Sequence, residues 1–453
     1  MRRNTLRFVN HACFEVENDS ALLLVDPWLE GMAFNNGWRL IDQSTSNAAM
    51  VERLNRAEVP VYIWFSHEHP DHFSISFIKQ FKQDFRGSAT FLFRHTLDKR
   101  VVGFLRRNGL EVKECKEGEP AALGPDMRIT MFPYSEGDSW CLIESGGRSI
   151  VNLNDCVLAT PAQCQAVKAK IDMLVPRVDL MLTQFGYASW VGNPGESALH
   201  KAAALEKTER IALQIEHLKP ALVVPFASFV YFSHPENAYL NEGQNSPRAI
   251  VDAPRLAPHA PLIRFLQPGS VVDLDKDSAA SLANEHERAM AHWMALKERG
   301  YPLLPAEPVI ALEDVKAAFM KYRETLAANL HGLPRLLELT RRIVPLVIHL
   351  SDLRQTVKCS YRKGITTLGY DAPWHVSMSS GNAVFLFKNE YGHDTTMVNG
   401  RFRAGPSNAT SVFSRFFLPQ RMAKNGYDRR NPLATLRYLV AKMMARISRQ
   451  QPG

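Results

Sequence analysis

The chain has 453 residues, 45% of them apolar and 22% charged, a balance that supports a substantial folded core and excludes general disorder. That length fits two domains, or one large domain with an appendix. The formal charge of +8 and pI near 9.1 permit attraction to phosphates, anionic sugars or an acidic membrane surface, but no zinc-finger spacing or RNA-binding aromatic signature points to nucleic acid.

In chain order, residues 6–17 (LRFVNHACFEVE) and 21–27 (ALLLVDP) read as two strands joined by the turn Asn18-Asp19-Ser20. An aromatic loop with two glycines follows, from Trp28 to Trp38. Residues 61–65 (VYIWF) form a buried strand by their apolar run, and a helix starts near Ser74. Residues 90–95, 128–133, 140–144, 149–153, 179–184 and 221–227 carry strand signals, and 198–217 form an amphipathic helix. Beyond about residue 275 the text turns helix-like over 280–299, 311–330 and 334–350, with Pro breaks, then β-like over 355–417. The expected organisation is an α/β catalytic domain over 1–275, a helical region over 276–350, and a small β-containing C-terminal region over 351–453 that ends in a basic amphipathic helix.

The six cysteines, Cys13, Cys115, Cys141, Cys156, Cys164 and Cys359, include no Cys-x-x-Cys pair and are expected as reduced thiols of a cytoplasmic protein. The N-terminal residues lack the apolar core of a signal peptide. No uninterrupted apolar run reaches the ~18 residues of a spanning helix.

The chemistry concentrates in His67-Glu68-His69-Pro70-Asp71-His72, directly after the buried 61–65 strand and before a helix. A strand end fixes backbone positions, and the loop beyond it can turn several side chains to one point. His67 and His69 can hold one metal, and Asp71 and His72 a second. Further ligands are expected from later strand ends: Asp155, whose two oxygens can bridge two metals; His234, in Phe232-Ser233-His234-Pro235; and Glu136 in Tyr134-Ser135-Glu136-Gly137-Asp138, with Asp138 as its competitor.

With these residues in view, the chain resembles metallo-β-lactamase-fold enzymes in its ligand order. The resemblance narrows over residues 8–270 to the metallo-β-lactamase-like domain of CMP-N-acetylneuraminate hydroxylases. The motifs that carry it are Asp26-Pro27-Trp28-Leu29, Ser66-His67-x-His69-x-Asp71-His72, Glu136-x-Asp138-x-x-Cys141, Asn154-Asp155-Cys156 and Pro225-Phe226-Ala227. It implies an αββα four-layer sandwich, followed here by an α+β C-terminal region. The usual third His before the bridging Asp is missing, and Tyr134 and Glu136 stand in that region. The Rieske ligand pairs of those hydroxylases are also missing from this sequence. In this respect it is similar to the di-iron β-hydroxylases of the same fold.

A carboxylate in place of an imidazole favours iron or manganese over zinc. The preferred expectation is therefore an O2-dependent di-iron hydroxylase acting on a polar or anionic, nucleotide- or carrier-linked small molecule, served by a separate electron donor. The alternative is a dinuclear zinc or manganese hydrolase of a phosphodiester, ester or amide. Asp71 and Asp155 are the expected catalytic carboxylates. His11 is expected on the first strand near the metals, and Asp26 as a brace of the metal loop. Trp28, Tyr187, Trp190 and Tyr231 are candidate substrate contacts, with Phe34 and Trp38 as loop aromatics. Residues 432–449 place Leu436, Leu439, Val440, Met443 and Ile447 at helical intervals among Arg437, Lys442, Arg446 and Arg449, a face suited to an anionic membrane surface or to packing on its own domain.

Overall fold

The structure is a computed structural model that describes residues 3–134, 137–438 and 440. Two large sheets form its centre. In the seven-stranded sheet the order is Val271–Asp273, Asn4–Asn10, Cys13–Asn18, Leu22–Val25, Val61–Trp64, Ala89–Arg94 and Glu111–Cys115. The six-stranded sheet runs Leu222–Phe226, Leu180–Gln184, Arg148–Asn152, Ser139–Ser145, Met127–Pro133 and Ala121–Gly124. Alternation decides which residues face which layer. Leu6, Phe8, Phe14, Val16, Leu23 and Val25 point from the first sheet into a core shared with Ile129, Met131, Leu142 and Val151 of the second. Their neighbours Cys13, Leu22, Leu24 and Ile63 face the opposite way, onto the helices Asn47–Asn55, Ile75–Asp84 and Arg100–Arg107. The helices Pro161–Asp172 and Ser197–Leu218 cover the second sheet through Val167, Ile171, Ile211 and Ile215. The αββα sandwich is therefore present.

Three sequence expectations are corrected. The run 6–17 is not one strand: it folds back at His11-Ala12 into antiparallel Asn4–Asn10 and Cys13–Asn18. The turn places His11 at a φ of 43°, a left-handed conformation that His tolerates better than most residues, and no Gly or Pro marks it. The 334–350 segment is helical only over Leu333–Leu339, and Leu346–Leu350 is a strand. The apolar run Leu346-Val347-Ile348 was open to either reading, and pairing with Gln355–Ser360 and Val376–Met378 decides it. Finally, the 355–417 stretch, expected as β-like, also holds the helices Ser380–Lys388, Gly392–Asn399 and Ala409–Phe416.

The expected helical region also divides between two cores. Trp293 of the Ala283–Glu298 helix stacks on Phe229 with ring centroids 3.9 Å apart. The Leu312–Asn329 helix instead joins the C-terminal core through Val315, Phe319 and Tyr322, with Tyr361, Phe387, Phe416 and Phe417. All six cysteines are buried and unpaired. No helix among the described residues is long and apolar enough to cross a membrane. Of the 432–449 segment, Leu436 and Val440 are exposed, while Leu439, Lys442, Met443, Arg446, Ile447 and Arg449 lie outside the described residues.

The C-terminal part is locked to the sandwich by buried polar bonds. The Arg401 side chain, fully buried, donates to Glu236 Oε2, Glu307 Oε2 and the Asn35 carbonyl, each at 2.7 Å. Asn237 Nδ2 donates to the carbonyls of Gly37 and Asn399. Gly37 is required by close approach: a Cβ there would lie 2.5 Å from that of Asn399. Arg401→Met removes a buried cation and strands two carboxylates, and is expected to cost roughly 3 kcal/mol, measured by urea unfolding.

Candidate metal centre

Five strand-end turns bring the site together: His11 at the first hairpin tip, Asp26 after Leu22–Val25, the 66–72 loop after Val61–Trp64, Asp155 after Arg148–Asn152, and Gln184 ending Leu180–Gln184. His11, Asp26 and Asn154 all have φ between 42° and 52°, and these bent backbones aim side chains from the two sheets into one cleft.

The fully buried Asp26 organises the loop. Its Oδ1 accepts from the Ser66 backbone N–H at 2.7 Å, and its Oδ2 accepts from Ser66 Oγ at 2.7 Å, Asn154 Nδ2 at 2.9 Å and His72 Nδ1 at 3.0 Å. Since Ser66 Oγ gives its proton to Asp26, the His67 Nδ1–H 2.9 Å away must donate to that hydroxyl. The tautomers of both rings are thereby set. Each carries its proton on Nδ1 toward the protein and turns Nε2 into the cleft, the arrangement that partners of metal-ligating histidines impose.

The donor atoms fall into two groups, each with its atoms within 4.8 Å of one another: His67, His69 and Asp155, and His11, Asp71 and His72. In the first group His67 Nε2 and His69 Nδ1 are 2.8 Å apart. In the second, Asp71 Oδ2 lies 3.3 Å from both His11 Nε2 and His72 Nε2. Asp155 Oδ2 sits between the groups, 3.3 Å from His72 Nε2 and 3.9 Å from His67 Nε2. Asp138 Oδ1 is 3.8 Å from His67 Nε2. His72 Nε2 and Asp71 Oδ1 are buried without a hydrogen-bond partner. Convergent donors that the protein leaves unsatisfied are what a cation would occupy, so these residues fit divalent metal ions.

Titration behaviour reflects this crowding. Burial, with the His72 and His69 rings beside it, holds His67 well below the ordinary imidazole range. Burial acts the same way on His72, but Asp71, Asp155 and Asp26 outweigh it and raise that ring well above the ordinary value. Asp71 stays well below the usual carboxylate range because the His72 and His11 rings overcome its burial. Burial, opposed by His69 and reinforced by Asp155, pushes Asp138 up to about 6.

Of the residues expected from sequence, His67, His69, Asp71, His72, Asp155 and His11 come together. Glu136 lies outside the described residues, and its competitor Asp138 has its carboxylate beside His67. His234 belongs to neither group. Its Nδ1 accepts from the Glu236 backbone at 3.2 Å, and it lies beside Arg401 and Glu307. The cause is local. After Leu222–Phe226 the chain turns at Ala227, whose N–H donates to the His11 carbonyl at 2.9 Å, and then leaves to pair Val230–Phe232 with Trp38–Leu40. His11, not His234, is grouped with Asp71 and His72.

Among the aromatic candidates, Trp28 meets the His11 ring edge-on at 5.6 Å, and Phe34 meets His69 at 5.7 Å. The other four are engaged in packing: Tyr187 donates to the Leu240 carbonyl, Trp190 packs on Phe402, Tyr231 stacks on Tyr301, and Trp38 lies edge-on to Phe34 and Phe232. Sequence reasoning missed Asn154, Gln184 and Lys207. Gln184 Nε2 donates to Asp155 Oδ1 at 2.9 Å, and Lys207 Nζ donates to Gln184 Oε1 at 2.7 Å. Burial, with Arg210 nearby, brings the Lys207 amine down to about 7. The signal was available: Lys207 shares the apolar stripe of its helix with Ile211, Gln214 and Leu218.

Two packed sheets with histidines and carboxylates converging at their strand ends define a metal-binding protein of the αββα class. Residues 5–227 match the family described as a beta-lactamase superfamily domain and belong to the metallo-β-lactamase superfamily. The chain is also similar to cytidine monophosphate-N-acetylneuraminic acid hydroxylases. It is 27% identical to that of Danio rerio over 290 residues, 60% of this chain and 46% of the relative. To that of Mus musculus it is 26% identical over 292 residues, 60% and 47%. The chain thus spans about half the length of these relatives. Among solved structures, a CmlA beta-hydroxylase aligns at a TM-score of 0.41 with 17% identity, covering 60% of this chain and 54% of that one. Igni18, a metallo hydrolase from Ignicoccus hospitalis, aligns at 0.38 with 17% identity, covering 59% and 97%.

Metal analysis of protein reconstituted with Zn2+ tests the grouping. His11→Ala is expected to retain about one metal where the wild type retains about two, and His234→Ala to retain both. Asp26→Asn, which unsettles the His72 and Ser66 bonds together, is expected to weaken metal binding roughly 10- to 100-fold in a competition titration.

Proposed function

We propose that this protein is a dinuclear metalloenzyme that hydroxylates a polar, anionic small molecule with O2, using iron. The observation that carries the reading is the composition of the two donor groups: each contains two imidazoles and one carboxylate. That set suits non-haem iron with open positions for substrate and O2. Similarity to hydroxylases over 60% of the chain supports the oxygenase over the hydrolase.

In this reading His67 and His69, with Asp138 beside them, would hold one ion and His11, Asp71 and His72 the other, with Asp155 between the two groups. The carboxylates of Asp71, Asp138 and Asp155 offset much of the charge of two dications, which favours higher oxidation states. A reduced iron pair supplies O2 activation and C–H hydroxylation chemistry. The chain's own contribution is to fix ring orientation through Asp26 and Ser66, and to set Trp28 against His11 and Phe34 against His69 beside the donor groups. The source of electrons is placed outside the described residues, whose six cysteines are buried, unpaired thiols.

Protein loaded anaerobically with Fe2+ and given a chemical reductant is expected to take up O2 and to develop near-ultraviolet absorption. The Zn2+ form is expected to leave bis(p-nitrophenyl) phosphate intact. Phosphodiester cleavage by the Zn2+ form, with no O2 uptake by the Fe2+ form, would instead establish the hydrolase.

A further inference from the structure

Lys207 is costly where it lies. Its residue is 8% exposed on the core face of the Ser197–Leu218 helix, and its Nζ bonds to a neutral amide rather than to a carboxylate. A methionine would fill similar volume without desolvating an amine. Packing therefore does not explain a lysine here.

Its chemistry does. The Lys207 Nζ–H donates to Gln184 Oε1, and that bond fixes the orientation of the amide, with Oε1 turned to Lys207 and the NH2 group turned to Asp155. Gln184 then occupies Asp155 Oδ1 at 2.9 Å. The other oxygen, Oδ2, is left facing His72 Nε2 at 3.3 Å and His67 Nε2 at 3.9 Å. We propose that Lys207 and Gln184 are positioning residues that reserve one oxygen of Asp155, so that the other is shared between the two metal positions. This rests on the two-metal reading above, but not on the oxygen chemistry. It also replaces the sequence-based expectation that Asp155 bridges through both oxygens.

The position behind the second sheet matters. Lys207 reaches the cleft only through Gln184, so it acts on ligand geometry and not on substrate. Without it Gln184 Oε1 loses its donor, and the amide loses the anchor that holds its NH2 against Asp155 Oδ1. Asp155 would then swing, and the group relying on it most, with His67 and His69, would loosen.

The test uses Co2+ as both metal and spectroscopic probe, with the full chain. In Lys207→Met the metal-free protein is expected to melt at or above the wild-type temperature. Its affinity for one of two Co2+ equivalents is expected to fall roughly 10- to 100-fold, with a changed visible spectrum. Gln184→Glu keeps an acceptor for Lys207 but sets a carboxylate against Asp155, and is expected to lose more affinity than Lys207→Met. Wild-type affinity and spectrum in both variants would overturn the proposal. So would a fall in metal-free melting temperature that accounts for the whole loss in Lys207→Met. A wild-type chain that takes up a single Co2+ would overturn the two-metal reading itself, a separate and recognisable result.

Discussion

Asp26 is the constraint on which the rest of the site depends. It has no exposed surface, and its four hydrogen bonds link the end of one strand to the loop after a second and to the turn after a third. A buried carboxylate is tolerable only when donors surround it, and here the donors are the residues that orient the ligands. Loop geometry, ring tautomers and the join between the two sheets are thus solved by one side chain. The left-handed conformations at Asp26 and Asn154 serve these bonds, and those at His11 and Ala227 serve the bond from the Ala227 N–H to the His11 carbonyl. Each is a local cost, for Ala227 on the order of 1 kcal/mol or more, sustained by bonds that need those bends.

What was legible in the sequence follows from range. His67, His69, Asp71 and His72 lie within six positions after an unmistakable strand, so local pattern was enough. Asp155 was legible because it ends a strand adjacent in the second sheet. His11 was seen, but on a straight strand, because its turn is set by His11 adopting a positive φ and by the Ala227 bond rather than by Gly or Pro. His234 was misplaced for the complementary reason: its distance from the strand end hid a second pairing, with Trp38–Leu40, that carries it away. In the C-terminal part, Leu346-Val347-Ile348 could not be told from a helix turn until its partner strands were known.

The C-terminal region is more than an appendage to this cleft. The Gly392–Asn399 helix meets the aromatic loop through Asn399, whose Nδ2 donates to the Phe34 carbonyl at 3.2 Å. It reaches the far wall through Met397, which accepts the Trp190 N–H at 2.8 Å. Phe34, in turn, touches His69. Tyr391, at the start of the helix, packs under the Arg100 guanidinium at 4.7 Å and lies close enough to Glu68 of the metal motif for that carboxylate to help raise its phenol. The metal loop and the aromatic loop beside it are therefore braced by residues more than three hundred positions away in sequence.

The same crowding sets how the cleft manages charge before any cation arrives. Asp71, Asp155 and Asp26 outweigh the burial of His72 and raise it well above the ordinary imidazole value, while burial and the adjacent His72 and His69 rings hold His67 well below. Of these two rings, His72 is therefore the one that favours the doubly protonated form before a cation binds. Of its two ring protons, the one on Nδ1 is bound to Asp26 and stays. The one on Nε2 faces Asp71 and Asp155 and must leave for that nitrogen to become a ligand. Metal uptake is then proton release at one known atom. Its affinity should strengthen as pH rises through the His72 titration, with the Asp26 contact keeping the ring in place throughout.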